Sequence, residues 1–252
     1  MPLWTPVLDI AADVVLPRFC VGCGLRRTSW CTSCRAAARN RAPPALMAGF
    51  NAQTGELPIA AAGLYELDLR RAVLAFKSSG SRELGRELGV WLAGSILHLL
   101  SATSEPLHSR VRLVPVPASP ASRVRRWGVD CVHVLLTAAV AQLQPRHSRP
   151  GQPHAQWHLS IDQALRVRGW ASGQKGRSGD QRRTRSPRFT QTGEPKRLAQ
   201  CAVIVVDDVV TTGATVHSCA RTLARGGARV IGAAAVARTP EPGAPRPPHD
   251  WR

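Results

Sequence analysis

The run Val203 to Thr215, VIVVDDVVTTGAT, places two adjacent carboxylates and three hydroxyls within thirteen residues. Ionised Asp207 and Asp208 can only accept hydrogen bonds, which suits the vicinal hydroxyls of a ribose, held directly or through a bound Mg²⁺. Thr211, Thr212, Gly213, Ala214 and Thr215 follow as a turn that runs into a helical pattern. Backbone N–H groups at such a turn and helix start carry partial positive charge and cradle phosphate. Gly213 and Ala214 let the backbone approach an anion closely, and the three threonine hydroxyls add donors. No G-x-x-x-x-G-K-[ST] occurs in the chain, and no G-x-G-x-x-G follows a strand. The chemistry expected of this segment is a site for a phosphorylated sugar.

A second group of reactive residues lies near the start. Cys20-Val-Gly-Cys23 and Cys31-Thr-Ser-Cys34 hold four of the seven cysteines. A C-x₂-C pair chelates a metal from a tight turn, and two pairs complete a tetrahedral thiolate site for Zn²⁺. With all four positions cysteine, no coordination place is left for water, so the metal is expected to be structural. A redox C-x-x-C is the alternative. Cys131, Cys201 and Cys219 stand in apolar contexts and are expected in the core.

The elements that must position these residues are legible in the hydrophobic pattern. Val203 to Val206 reads as a short buried parallel strand ending at the aspartates, followed by a helix with Val216, Ala220, Leu223 and Ala224 on one face and Gly226-Gly227 as its stop. Ahead of it, strands are expected at Ile59 to Tyr65 and Arg112 to Val116. Helices are expected at Arg70 to Phe76, at Ser81 to Leu100, and from an Asp130 N-cap to about Gln144. Ala228 to Ala237 reads as a last buried strand. The spacing predicts an N-terminal helix over 1–16, the cysteine knuckle over 17–42, a proline-containing link to about 57, and an α/β domain over 58–239. Residues 145–200 read as a basic, Gly/Ser/Pro-rich loop with one strand at 165–168, and 240–252 as a disordered proline-rich tail. Strands alternating with helices imply a parallel twisted sheet with flanking helices and ligands at the strands' C-terminal ends.

Composition narrows the partners. The 252 residues carry a formal net charge of +18, which favours polyanions such as nucleic acid or phosphorylated substrates. The arginines cluster: six and no acid from Arg18 to Arg41, five and no acid from Arg110 to Arg126. Twelve basic residues against three acids fill Arg146 to Arg197. No apolar run reaches the eighteen residues that would signal a membrane span, and the first residues lack a basic secretory n-region, so a cytoplasmic protein is expected.

The acidic-pair segment resembles the fingerprint with which type I phosphoribosyltransferases bind phosphoribosyl diphosphate (PRPP). Joined to the four-cysteine knuckle, it resembles the ComF family, a zinc knuckle fused to a type I phosphoribosyltransferase domain. Val114-Pro-Val-Pro-Ala-Ser119, Arg123 to Gly128, and Gln174-Lys-Gly-Arg-Ser178 with Arg182 also look like segments of that family. The resemblance implies that Asp207 and Asp208 hold the ribose hydroxyls and that Thr211 to Thr215 hold the 5′-phosphate. It implies that the pyrophosphate lies over Ala118 and Ser119, with Arg123, Arg126, Lys175 and Arg182 as candidates to balance its charge. Lys77 also matches a family position, with no role attached. The run from Val129 to Cys131 departs from the family pattern, which puts the nucleophile pocket in doubt. Two functions follow. One is an enzyme that transfers phosphoribosyl from PRPP, with Mg²⁺, to a nitrogenous acceptor and releases pyrophosphate. The other is a single-stranded-DNA-binding accessory factor of DNA uptake, or a partner of a DNA-uptake helicase. In that second case Trp30, Trp127, Trp157 and Trp170 are the candidates for stacking on bases.

Overall fold

The computed structural model describes residues 18–41, 45–49, 57–103, 105–106, 109–118, 130–144, 157–169, 188–193, 195–199 and 201–240. Its central strand is β7, Ala202–Val210. The other strands are β1 (Ala45–Gly49), β2 (Leu57–Ala61), β3 (Arg110–Pro115), β4 (His158–Ile161), β5 (Leu165–Gly169), β6 (Arg188–Gln191) and β8 (Arg229–Arg238). The helices are α1 (Thr32–Arg41), α2 (Leu67–Ser79), α3 (Arg82–Ala102), α4 (Cys131–Leu143) and α5 (Ala214–Arg225). One sheet runs in the order β1-β2-β8-β7-β3-β4. Five of its strands are parallel, and β1 is an antiparallel edge. β5 and β6 form a separate antiparallel pair.

The topology follows from the right-handed crossover rule. The connection β3-α4-β4 steps to one side of β3, whereas β7-α5-β8 steps to the other side. Equal handedness then puts α4 and α5 on opposite faces of the sheet. Two apolar clusters result. Ile204 and Val206 of β7 join one cluster with Leu88, Leu92 and Ile96 of α3 and Leu135 and Leu136 of α4. Val203 and Val205 join the other with Val216, Cys219 and Leu223 of α5. The alternation of side chains along a strand divides the two faces. Because the strand order reverses between β3 and β7, the crevice beyond their C-terminal ends is the switch point where ligands bind in open α/β sheets.

The fold class is the expected one, a parallel sheet with helices on both faces and a small cysteine cluster at the N-terminal side. Several elements differ in detail. β7 continues through Asp207 and Asp208 to Val210, so the acidic pair lies within the strand and does not end it. Pairing with β8 continues beyond the pair, at Val209↔Ala237 and Val210↔Arg238. β2 starts and stops earlier than Ile59–Tyr65, because residues 62–66 bend into α2. The link expected over 42–57 contains β1, which pairs with β2 from Ala45↔Ala61 to Gly49↔Leu57. Within 145–200, where one strand is expected, β4, β5 and β6 occur. β5 stands where that strand is expected; β4 and β6, four residues each, are too short for a readable period. The expected helix over 1–16 and residues 241–252 of the tail lie outside the described residues.

Cap chemistry agrees with the sequence. Ser81 accepts from the Leu84 N–H at the start of α3, and Asp130 accepts from the His133 N–H at the start of α4. α3 and α4 meet where Gly89 faces Ala138: a Cβ at Gly89 would sit 2.5 Å from the Ala138 Cβ and 3.2 Å from backbone atoms of Ala138 and Ala139. Backbone cannot yield cheaply. Gly89→Ala is therefore expected to destabilise the protein by about 1–3 kcal/mol through overpacking, despite alanine's higher helix propensity. Thermal or urea unfolding checks this, and an unchanged or raised melting temperature would contradict the close contact.

Candidate functional site

Asp207 and Asp208, as successive strand residues, face opposite sides of β7. Asp208 follows Ile204 and Val206 toward the α2–α3–α4 face. There its carboxylate meets Lys77 of α2, with Nζ 2.8 Å from each oxygen. Asp207 faces the α5 side. Its Oδ1 accepts the Asp208 N–H at 2.8 Å, and its charge adds to the burial that pushes the Cys219 thiol up. Burial, and then the neighbouring Asp208 charge, raise the Asp207 carboxyl to about 8, although Lys77 and the Asp208 N–H pull the other way.

The turn after β7 leads directly into α5. Thr211, Thr212 and Ala214 are exposed, Thr215 is half-buried and Gly213 is buried. Gly213 is the N-cap with φ +75°, a left-handed conformation that a side chain would strain. A Cβ there would also approach the His217 ring at 3.2 Å and Ile59 at 3.3 Å. No side chain caps this helix start among the described residues. Its first N–H groups are therefore open to an anion, apart from the Ala214 N–H, 3.4 Å from Thr212 Oγ1. On the neighbouring strand, the Val116 N–H donates to the Val206 carbonyl at 2.8 Å, which brings the exit of β3 alongside the start of the acidic pair; Ala118 lies two residues further along that exit. Ser119, Arg123, Arg126, Lys175 and Arg182 lie outside the described residues, as do Trp127 and Trp170.

Two residues near the site acquire surroundings that the sequence does not show. Lys77 has a partner in Asp208. His217, in the second turn of α5, is buried with both ring nitrogens lacking a hydrogen-bond partner in the structure. Burial, with the nearby Arg221 charge, holds its imidazole below the usual range. The sequence signal for His217 is slight: a polar residue beside the apolar face of α5.

The four knuckle sulfurs all lie within 4.8 Å of one another, with Cys23 and Cys31 at 3.7 Å. A tetrahedral Zn²⁺ with bonds of about 2.3 Å places its sulfurs about 3.8 Å apart, so the cluster fits the ion. Gly22 forms part of the cradle, since a Cβ there would lie 2.7 Å from Cys34 Sγ. Burial raises the Cys20 thiol, but N–H groups of Cys31, Cys23 and Gly22 outweigh it and bring the thiol down to about 6. Burial and then the neighbouring thiols push Cys34 up. A thiolate held at one corner and resisted at another is the electrostatic pattern that a cation resolves. Cys131, Cys201 and Cys219 are buried, as expected of core residues.

The knuckle docks on α3. Trp30 is 1% exposed and stacks on Trp91, with ring centres 5.7 Å apart. Glu83 accepts hydrogen bonds from the Ser29 N–H and hydroxyl and from Thr28, and Glu87 pairs with Arg35. Trp157 is also buried, with its indole N–H on the Glu105 carbonyl. Trp30 and Trp157 are therefore packing residues and offer no face to a nucleic-acid base. No helix among the described residues is long and apolar enough to cross a membrane.

The family model described as the phosphoribosyl transferase domain matches residues 163–252, the part of the chain that supplies β5 to β8, the acidic pair and its loop. No curated protein matches the chain.

Two outcomes test this geometry. Purified without added metal, the protein is expected to carry about one equivalent of zinc, lost with the fold of the knuckle on chelation. Metal analysis of a folded, reduced sample giving less than about half an equivalent would refute it. For Asp207, the native value of about 8 lies above the ordinary aspartate value of 3.8. The native state therefore binds the extra proton between these values, and this contribution to stability is lost as pH rises toward 8. Asp207→Asn, which does not titrate, is expected to raise the melting temperature of the ligand-free protein more at pH 9 than at pH 5 (values chosen near the two ends of that window). Equal shifts at both pH values would contradict a raised Asp207.

Proposed function

We propose that this domain binds PRPP together with Mg²⁺ and transfers its phosphoribosyl group to a nitrogenous acceptor with release of pyrophosphate. One observation carries the reading: Asp207-Asp208 and the glycine-capped start of α5 adjoin at the sheet's switch point, within the segment 163–252 that matches the phosphoribosyl transferase domain. Asp207 and Asp208 would hold the ribose hydroxyls. Thr211, Thr212, Gly213, Ala214 and Thr215 would hold the 5′-phosphate through backbone N–H groups and hydroxyls. Ala118 and Ser119 would underlie the pyrophosphate, with Arg126 and Arg182 balancing its charge.

The chemistry asks for little covalent participation from the protein. As the bond from ribose C1 to the pyrophosphate oxygen lengthens, positive charge grows on the sugar and negative charge on the leaving group. Carboxylates beside the ribose stabilise the first, and cations with oriented N–H groups stabilise the second. Mg²⁺ on the acidic pair and the pyrophosphate oxygens would supply charge neutralisation. A domain joined to a four-cysteine knuckle is the arrangement of the ComF-like proteins that the sequence resembles, with the knuckle holding a structural Zn²⁺.

Calorimetry of PRPP with Mg²⁺ tests the site. The Asp207→Asn, Asp208→Asn double variant is expected to lose PRPP binding by at least about tenfold while retaining its fold, since bonds to charged groups contribute about 1.5–3 kcal/mol each. Unchanged affinity in the folded variant would remove both aspartates from the site. Turnover is read separately, as pyrophosphate released from PRPP with a panel of nucleobases.

A further inference from the structure

Lys77 has a position too well defined for an ordinary surface lysine. It stands in the last turn of α2, 131 residues before Asp208, with its Nζ 2.8 Å from both carboxylate oxygens. The pair is well shielded, the two side chains being 22% and 11% exposed. A cation equidistant from both oxygens of a carboxylate takes the place that a divalent ion takes on a bidentate carboxylate.

The backbone holds it there from both ends of α2. Gly80, at φ +64°, ends the helix with its N–H on the Phe76 carbonyl, and Phe76 is buried in the core. Three residues on, Glu83 is tied to Ser29 and Thr28 of the knuckle. In the first turn of α2, buried Asp68 lies against Gly22, whose carbonyl accepts from Arg71 at 3.5 Å. The ammonium is delivered to Asp208 by a helix anchored on the metal-binding knuckle.

We propose that Lys77 is a built-in counter-ion for the acidic pair: it occupies Asp208 in the ligand-free site, excludes free divalent cations, and yields the carboxylate only to a metal that arrives chelated by a phosphoanhydride. The anionic oxygens of that ligand receive the displaced ammonium, so charge is balanced before and after the exchange. The site accepts metal and polyanion as one unit. This rests on the reading of the acidic pair as a metal- and ribose-binding group, and it goes further by assigning an order to binding.

Free Mn²⁺ binding, read by electron paramagnetic resonance, provides the test without turnover. Wild-type protein is expected to bind Mn²⁺ weakly alone and strongly with inorganic pyrophosphate. Lys77→Met is expected to bind free Mn²⁺ at least about tenfold more tightly than wild type, the scale of a close charge pair removed. The same variant should gain less from added pyrophosphate, and Lys77→Met with Asp208→Asn should lose the new Mn²⁺ site. A lysine that only stabilises the fold would leave Mn²⁺ affinity unchanged or lowered in a folded Lys77→Met protein, and that result overturns the proposal. Wild-type protein also decides alone: free Mn²⁺ bound as tightly without pyrophosphate as with it overturns the proposal whatever the variants do. Failure of wild-type protein to bind PRPP refutes the proposed function instead, and leaves the Mn²⁺ comparison readable.

Discussion

Two carboxylates side by side on a central strand pose the electrostatic problem around which the rest of this structure is arranged. They cannot both be buried and ionised without a cation, because desolvation and mutual repulsion each favour protonation. The ligand-free protein meets the problem twice over. Burial and the Asp208 charge raise the Asp207 carboxyl, which favours its protonated form, while Asp208 is matched by Lys77. Strand geometry allows this division, because neighbours on a strand point to opposite faces and so find different surroundings.

That division depends on a sheet covered on both sides. Asp208 meets a helix only because α2 and α3 cover one face, and Asp207 lies toward Cys219 only because α5 covers the other. Close approaches at small residues keep these layers tight, as at Gly89 against Ala138 and at Gly232 against Leu99 and the Pro58 carbonyl. The knuckle contributes to the same arrangement. Trp30 on Trp91 and the Glu83 hydrogen bonds fix the α2–α3 turn, and α2 carries Lys77 to the acidic pair. A cysteine cluster that looks like a separate module is thus continuous with the framework of the site.

Much of the site was legible where chemistry is local. The acidic pair, the Thr-Thr-Gly-Ala-Thr turn, the helix behind it and the two C-x₂-C pairs each carry their signal within a few residues. The longer helices were legible too, because α3 repeats its apolar stripe over 21 residues and α4 opens on a capping aspartate. The short strands β1, β4 and β6 were not, since four or five residues give no dependable period. The stacking role considered for Trp30 and Trp157 failed for a related reason. A tryptophan in a basic, polar segment looks available until a distant helix is found covering it.

What the sequence determined by itself is the chemistry on offer: two carboxylate acceptors, a hydroxyl-rich turn at a helix start, four clustered thiols, and a parallel α/β framework to hold them. Each is a property of residue type and near-neighbour spacing. Only the tertiary structure decided which charges meet. Lys77 and Asp208 are 131 residues apart, and nothing in either neighbourhood encodes the other. Their pairing comes from crossover handedness and strand alternation, which set the faces of the sheet, and from the docking of the knuckle, which sets the reach of α2.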